Sequence, residues 1–393
     1  MRHSASVPSA WPIAGGRISV ALVVGTLAHA GTARHVTALV RTLGEGRHRI
    51  RVYALAAPTE AVAGALAALG VPLAVLPRRR SWEPARVLAL ARALNRDGID
   101  LVHAILPAGA AYATLAARLA GVPVVIVATR AGEPRADGAT RALLRRVYRQ
   151  ATAIVANTRA EADRCVHDAA VPAARVHVVY DGVDLTRCAP PGVLDGLRDR
   201  VWHRPLVIGG TGSEDTGRAL FVATAVRVAA RHPEAQFVWL RDGLAPAVAD
   251  APSPVPVTNV PIVDDPHPVL RQLAMLCVVG APDCPSLDLV PAALAAARPV
   301  VAADVPGISE LVTDGATGAV VPGGDPDALA GAALDLLENR GRLRSAGHAA
   351  RAWAERTLDA ARMGRATAAL YEASLLGQVG QAVAAAARPE DRR

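Results

Sequence analysis

Residues 299–326 read PVVAADVPGISELVTDGATGAVVPGGDP, and the order of the pieces in this stretch decides the fold. An apolar run at residues 300–302 is followed by three turns that contain glycine, and a segment with helical character begins at Pro326. Short apolar strands that end in glycine turns and lead into a helix are typical of βα units in a parallel sheet. The stretch therefore predicts an α/β fold.

Apolar runs alternate with helical segments along the rest of the chain, from residue 17 onward. Such regular alternation favours a parallel sheet that is covered by helices on both faces. In the first half, strands are predicted at residues 18–25, 49–56, 71–76, 101–105, 122–128, 153–156 and 175–179. In the second half, strands are predicted at residues 206–208, 237–240, 255–260, 276–279, 300–302 and 319–321.

The stretch at residues 299–326 resembles the C-terminal half of the family 4 glycosyltransferases, which are retaining enzymes of the GT-B fold that transfer a sugar from a nucleotide donor. The residues that carry the resemblance are Gly307, Glu310, Asp314, Gly315, Thr317, Gly318, Pro322 and Asp325. The resemblance implies two Rossmann-like α/β domains that face each other across a cleft. In such folds the ligand binds at the carboxyl ends of the strands, which here means the interdomain cleft.

The resemblance covers roughly residues 17–376, and the composition of the linker and of the two ends completes the division of the chain into segments. We expect a lead-in at residues 1–16, an acceptor-side Rossmann-like domain at residues 17–190, a linker at residues 191–204, a nucleotide-sugar-side Rossmann-like domain at residues 205–362, a closing helix at residues 363–378 that packs back on the first domain, and a frayed tail at residues 379–393. The turn that closes the first domain resembles the family's Asn-Gly-Val-Asp, with Asp181 in place of Asn.

The loop at residues 26–35 leads from the first strand into a helix and resembles the family's Gly-Gly-Ala-Glu-Arg-His, matched here by Gly31, Arg34 and His35. A glycine at the mouth of a helix lets backbone N–H groups face a phosphate or a sugar, and the helix dipole adds to the attraction. Gly31 is therefore a candidate for a ligand loop, and a plain βα turn is the alternative. His35 is interpreted as a solvent-facing or packing residue.

A second candidate loop follows the strand at residues 122–128. Many members of the family carry a His there that contacts the sugar, whereas this chain offers Arg130 and Glu133. The resemblance therefore implies that Arg130 and Glu133 belong to the acceptor or sugar loop.

The glycine-rich segment at residues 209–218 lies where the family places an Arg and a Lys that neutralise the donor diphosphate. Thr211 and Thr216 stand at those two positions, and Arg218 is the nearby cation that could substitute. Charge-assisted hydrogen bonds are roughly twice as strong as neutral ones, so we expect weakened nucleotide binding. The predicted donor-binding residues are Gly210, Thr211, Gly212, Thr216, Arg218, Ser286 and Leu287.

The family also carries two Glu eight positions apart before the PVV strand, and this chain has Cys284 and Ala292 at those places. Neither residue can act as a carboxylate. Asp283 and Asp288 flank the site and are predicted to be catalytic in place of the missing carboxylates. The alternative is that both are ordinary turn acids near two prolines.

Charge is distributed unevenly along the 393 residues, which contain no Lys. Residues 1–200 hold 26 Arg and 14 acidic residues, whereas residues 201–393 hold 17 Arg and 21 acidic residues. On a helix, Arg141, Arg145 and Arg149 form a stripe at i, i+4 and i+8. This stripe is either a solvated helix face or a surface for an anionic membrane. Nucleic acid is not expected, because no stacking aromatics or binding motif accompany the Arg residues.

Cysteine spacing and hydropathy indicate the cellular compartment in which we expect the protein. The four Cys residues show no C-x-x-C spacing and are interpreted as free thiols in the cytoplasm. No apolar run approaches the roughly 18 to 20 residues of a membrane span, and residues 1–16 lack the apolar core of a signal peptide. We expect a cytoplasmic protein, peripheral on the inner face of the membrane if the Arg stripe binds there. No metal or other cofactor is expected, since no His/Cys cluster is visible.

The resemblance implies a glycosyltransferase that moves a sugar, with retention, from a nucleotide-diphosphate sugar to a polysaccharide or glycolipid acceptor. The substitutions in the donor motifs leave an alternative open. In that alternative the chain is a catalytically inactive GT-B protein that acts as a scaffold or glycan-binding partner of an active glycosyltransferase.

Overall fold

The computed structural model describes residues 16–377, except for residues 45, 77–82, 106, 131–137, 189–205, 215, 243–252, 263–264 and 281–286. The described residues form two α/β domains, each built on one parallel sheet. The doubly wound α/β architecture predicted from the sequence is confirmed.

The N-terminal domain alternates strands and helices. Its elements are β1 (Ile18–Val24), α1 (Ala30–Gly44), β2 (His48–Ala54), α2 (Glu60–Ala68), β3 (Leu73–Val75), α3 (Pro84–Arg96), β4 (Leu101–Ile105), α4 (Pro107–Leu119), β5 (Val124–Thr129), α5 (Gly138–Gln150), β6 (Ala153–Ala156), α6 (Arg159–Ala169) and β7 (Val176–Val178). The sheet order is β3-β2-β1-β4-β5-β6-β7, and all neighbouring strands are parallel.

The C-terminal domain repeats the pattern and ends in a helical tail. Its elements are β8 (Val207–Gly212), α7 (Thr216–Ala229), β9 (Gln236–Asp242), β10 (Val257–Ile262), α8 (His267–Leu270), β11 (Met275–Val279), α9 (Val290–Ala295), β12 (Val300–Ala303), α10 (Ile308–Leu311), β13 (Gly318–Val321), α11 (Pro326–Glu338), α12 (Arg340–Thr357) and α13 (Ala360–Leu375). The sheet order is β10-β9-β8-β11-β12-β13, again with parallel neighbours.

The central strands are buried along their whole length. Every residue of β4, β5 and β11 is buried, because helices cover both faces of each sheet. Each domain consequently has two apolar cores, one on each face of its sheet. Ala, Val and Leu supply most of this packing, as the 3% aromatic content requires.

The glycine-rich segment at residues 209–212 lies inside β8, so the prediction that the strand ends at residue 208 is wrong. These glycines give neighbouring groups room to pack. A Cβ on Gly210 would lie 2.6 Å from the Phe221 ring, and one on Gly212 would lie 2.5 Å from the carbonyl oxygen of Val279. Glycine here allows β8 to pack closely against its neighbours. From composition alone, a glycine with this role cannot be distinguished from a glycine in a loop.

The chain passes between the domains at two places that lie side by side. The backbone N–H of Val183 donates to Leu358 O at 2.8 Å, and the N–H of Ala360 donates to Val183 O at 3.0 Å. Gly182 permits this approach, because a Cβ there would lie 2.5 Å from the Cα of Ala360. The two connections are therefore bound to each other.

Helix α13 packs back on the N-terminal domain. Its start at Ala360 is three residues earlier than the expected closing helix, and Asp359 Oδ1 accepts from Ala361 N at the first turn. Burial lowers the pKa of His103 to about 3, so its ring is neutral, and its Nδ1 forms a hydrogen bond with Tyr371 Oη at 2.6 Å. Gly364 lies against Thr42 of α1. The C-terminal helix thus completes the core of the first domain.

Helix α5 carries the predicted Arg stripe. Leu144 and Tyr148 face the core, while Arg145 and Arg149 are exposed. Arg145 Nε also donates to the carbonyl oxygen of Asp168 at 2.5 Å. Arg141 lies in α5, but its side chain is outside the described part of the structure. Across the described residues, no helix is long and apolar enough to cross a membrane.

Candidate functional site

A cavity of about 310 Å³ lies between the two domains. Its N-terminal wall is formed by α1 and α2, and its C-terminal wall includes Asp265, His267 and Asp288. The segment at residues 181–184, which leads out of the N-terminal domain, closes one side. This is the cleft between the domains where the sequence predicts the ligand.

A buried guanidinium, that of Arg130, lines this cavity. Arg130 follows β5, and its side chain is 8% exposed. Its Nη2 lies 2.8 Å from Asp288 Oδ1 and 2.9 Å from Asp181 Oδ2. A charge that leaves water requires a partner of opposite sign, and the two carboxylates supply it.

Asp181 is fixed by further contacts within the N-terminal domain. Asn157 Nδ2 donates to Asp181 Oδ2 at 2.9 Å, and His35 Nδ1 lies 2.8 Å from Asp181 Oδ1. We call the set His35, Arg130, Asn157, Asp181 and Asp288 the Arg130 cluster. Burial alone would raise the pKa of Asp181, but Arg130 and His35 outweigh it and hold the pKa well below its usual value. Asp181 is therefore a permanent carboxylate.

Strand ends and one helix bring the Arg130 cluster together. Arg130 directly follows β5, Asn157 directly follows β6, and Asp181 follows β7. His35 comes from α1, which follows β1. The carboxyl ends of parallel strands meet at one edge of a sheet, which is where open α/β folds bind their ligands.

Asp288 reaches the cluster from the C-terminal domain. It lies between β11 and α9, and its carboxylate rests against Gly31, the second residue of α1. A Cβ on Gly31 would lie 2.7 Å from Asp288 Oδ2, so a side chain there would exclude the carboxylate. The structure thus brings together three of the predicted site residues, Gly31, Arg130 and Asp288.

Family models match both halves of the chain. The model described as Glycosyltransferase Family 4 matches residues 29–187, and the model described as Glycosyl transferases group 1 matches residues 204–339.

The chain belongs to the family 4 glycosyltransferases.

One curated relative is the D-inositol 3-phosphate glycosyltransferase of Kribbella flavida, 34% identical over 230 residues, which are 52% of this chain and 52% of that protein. The match therefore spans about half the length of this relative. Among solved structures, HepE of Anabaena in complex with UDP and glucose has a TM-score of 0.74 at 16% identity, covering 91% of this chain and 100% of HepE. Sucrose-phosphate synthase of Thermosynechococcus elongatus has a TM-score of 0.70 at 16% identity, covering 91% and 98%. These likenesses confirm the GT-B fold.

The predicted donor-binding residues that the structure describes do not line the cavity. Of the residues that the structure describes, the cavity lining does not include Thr211, Thr216 or Arg218. Thr211 is buried in β8, and Arg218 is buried in α7. Thr216 is exposed at the start of α7, where its Oγ1 lies 2.9 Å from Ser213 Oγ. Ser213 also accepts a hydrogen bond from Gly217 N and so occupies this helix start.

Three of the residues that the sequence predicts for the site are not among those that the structure describes. Glu133, Asp283 and Ser286 lie outside the described residues. Leu287 is described, and its side chain is buried in a core of the C-terminal domain. Ala292, at the place of a family Glu, is buried in α9 and contributes to the cavity wall.

The acidic and cysteine residues that resemble metal ligands in sequence make other contacts in the described part of the chain. There, no three His, Cys, Asp or Glu side chains are grouped so as to hold a metal ion. Asp325 and Asp327 form an Asp-x-Asp triplet, but Asp325 caps α11 and Asp327 pairs with Arg227. Cys165, Cys188 and Cys277 are buried thiols that take part in no disulfide.

Glu310 makes a second contact between the domains. Its Oε2 accepts from Arg159 N at 2.6 Å, and its Oε1 accepts from Ala160 N at 2.8 Å. The hydroxyl of Tyr180 donates to Oε2 at 3.0 Å, and burial together with the Glu310 charge raises the pKa of Tyr180 to about 12. Glu310 belongs to the stretch at residues 299–326 that carries the family resemblance. Part of this stretch therefore forms a contact between the two domains.

The sequence did not predict that His35, Asn157 and Asp181 belong to the site. His35 was interpreted as solvent-facing or packing, yet it contacts Asp181 and lines the cavity. One signal was available. Arg130 and Asp181 both depart from the family pattern, from His and from Asn, and the structure makes them an ion pair.

Proposed function

We propose that this protein transfers a sugar from a nucleotide-diphosphate sugar to a hydroxyl group of an acceptor, with retention of configuration, in the cavity beside the Arg130 cluster. The observation that carries the proposal is the convergence of Gly31, Arg130 and Asp288 on this cavity from two domains. Membership in an enzyme family and the GT-B fold support it.

The ion pair between Arg130 and Asp181 supports an active site. A buried guanidinium between carboxylates contributes little net stability, because desolvation of the charges offsets their attraction. Charged groups that perturb one another's pKa beside a cavity are candidates for a binding or catalytic site. We therefore attribute the Arg130 cluster to binding and catalysis.

In this proposal the catalytic carboxylate is Asp288 or Asp283. Asp288 is the better supported, because it lines the cavity, and its side chain is 40% exposed. Stabilisation of charge on the leaving diphosphate is the main resource of such a reaction. Of the predicted donor-binding residues, Thr216 is exposed at the start of α7 and contributes a hydroxyl in this proposal, whereas Thr211, Arg218 and Leu287 are buried and do not line the cavity.

The proposed acceptor is a glycan or a lipid-linked glycan. The N-terminal wall of the cavity carries small apolar residues, Ala38, Ala61, Val62 and Ala65, beside the charged cluster. A wall of this kind suits the apolar part of a lipid-linked acceptor. The exposed Arg145 and Arg149 of α5 support a further proposal, reversible binding to an anionic membrane surface. We expect no metal or other cofactor, with the nucleotide sugar as substrate.

A specific observation favours a second candidate, an inactive GT-B protein that scaffolds an active partner. Ala292 stands in the cavity wall where the family has a carboxylate, and Thr211 and Thr216 replace the family's cations. A thermal-shift panel of UDP, GDP, ADP and CMP with their sugars tests both candidates. A ligand at 100 times its Kd adds about 2.7 kcal/mol, which is visible as a rise in Tm. Nucleotide binding with sugar transfer supports the enzyme, whereas no shift, no transfer and no hydrolysis would favour the scaffold.

A further inference from the structure

We infer that the Asp288 carboxylate occupies, in this structure, the place of a phosphate group of the ligand, and that Arg130 is the cation that receives this phosphate when Asp288 moves away. The ligand chemistry is that of a diphosphate. Its identification with the donor nucleotide rests on the proposed function.

The two carboxylates that hold Arg130 differ in how firmly they are fixed. Asp181 is 16% exposed and is held by His35 and Asn157 within the same domain. Asp288 is 40% exposed, comes from the opposite domain and reaches Arg130 across the cleft. Asp288 is therefore the partner that a ligand can replace, while Asp181 keeps Arg130 in position.

The place that Asp288 occupies suits a phosphate. A guanidinium presents several N–H donors in a plane, and phosphate oxygens accept them as carboxylate oxygens do. The first turn of α1, a helix of 15 residues, adds the attraction of a helix N-terminus for an anion. Gly31 supplies the space, since a Cβ there would lie 2.7 Å from Asp288 Oδ2.

Charge makes the two occupants mutually exclusive. A diphosphate beside Arg130 would repel the Asp288 carboxylate, so we expect an exchange rather than joint binding. The exchange keeps Arg130 paired throughout, and it supplies from the N-terminal domain a cation that Thr211 and Thr216 do not provide. It also frees Asp288 to contact the sugar.

Calorimetry on the full chain tests the exchange with inorganic pyrophosphate and with UDP. Asp288→Asn keeps the shape of the side chain and removes its charge, so we expect both ligands to bind at least threefold tighter. Asp327→Asn is the matched control, because it removes a carboxylate that pairs with Arg227 in the C-terminal domain. We expect it to leave both affinities unchanged.

Arg130→Gln should weaken both ligands at least tenfold, and Arg130→Lys should recover part of the loss. If Arg130→Gln fails to fold, the Asp288→Asn comparison alone decides. Unchanged or weaker binding by Asp288→Asn would overturn the inference, even if sugar transfer is found. Tighter pyrophosphate binding by Asp288→Asn, together with no sugar transfer by the unsubstituted protein, would support the subsite and count against the proposed function.

Discussion

The carboxylate of Glu310 in the C-terminal domain caps α6 of the N-terminal domain, because its Oε2 accepts a hydrogen bond from the backbone N–H of Arg159. Thr158 caps the same helix within its own domain by accepting from Glu161 N. The first N–H groups of α6 are thus shared between the two domains. Gly307, with a φ of 88°, begins the short helix that presents Glu310. In this left-handed region glycine avoids the strain that a residue with a Cβ would incur.

Removal of the Glu310 cap should destabilise the protein. Loss of an N-terminal cap costs about 0.5–2 kcal/mol, so Glu310→Ala should lower the free energy of unfolding by that amount, and Glu310→Gln by less. Thermal and urea unfolding measure the effect. Glu338→Ala is the control, because Glu338 forms an exposed pair with Arg231. Equal stability of Glu310→Ala and the control would contradict the capping role.

Asp288→Asn should reduce sugar transfer more than tenfold while leaving Tm nearly unchanged, because it removes the carboxylate proposed to face the sugar. Initial rates with the nucleotide sugar found by the thermal-shift panel measure kcat and KM. We expect kcat to fall, with no rise in KM. Asp283→Asn is measured in parallel, and full activity of the double variant would remove both residues from the reaction.

A cation at the start of α7 should strengthen nucleotide binding. Thr216 is exposed, so Thr216→Lys places a positive charge at the family's Lys position without disturbing a core. We expect UDP, or whichever nucleotide is preferred, to bind several-fold tighter in calorimetry at low salt. Thr216→Gln controls for side-chain length. If the Lys variant binds no better than the Gln variant, the alignment of this segment with the family's cations is wrong.

Acid should destabilise the protein through His103. Burial lowers its folded-state pKa to about 3, against about 6.5 in the unfolded chain. The unfolded chain therefore takes up a proton first, so this contribution to stability is complete above about pH 6.5 and is lost as the pH falls toward 3. Urea unfolding at pH 7.5 and pH 5 should reveal the loss. His103→Gln should reduce it, and the exposed His348→Gln should not.

The Arg stripe of α5 should bind anionic vesicles at low salt. Each Arg near an anionic leaflet contributes about 1 kcal/mol, and the Debye length falls from about 10 Å at 0.1 M salt to about 3 Å at 1 M. We expect co-sedimentation at low salt, release at high salt, and loss after Arg141, Arg145 and Arg149 are changed to Gln. The matched control changes Arg340, Arg342 and Arg344 of α12 to Gln. Equal binding to neutral and anionic vesicles would contradict the prediction and indicate that the Arg stripe is an ordinary solvated helix face.

Most of the fold could be predicted from the sequence, because periodicity and glycine turns are local signals. The start of α11 at Pro326, with Asp325 as its cap, is one case. The end of β8 could not be placed, because Gly210 is explained by Phe221 of another element. A glycine that gives a neighbour room looks, in sequence, like a glycine that makes a turn.

The sequence predicted individual residues of the candidate site but not the contacts between them. Gly31, Arg130 and Asp288 were each singled out by their place in a motif. Their contacts depend on how two domains face each other, and no local pattern encodes that distance. His35 was underestimated for the same reason, since its partner Asp181 lies 146 positions away in the chain.

The paired connections at Val183 and Asp359 have a mechanical consequence. Because the two connections between the domains are hydrogen-bonded to each other at Val183, we expect any relative motion of the domains to pivot near this place. The contacts of Glu310 with α6 and of Asp288 with Arg130 span the same two domains, and Tyr180 and Asp181, just before Val183, take part in them. A change in the angle between the domains would therefore alter both contacts together.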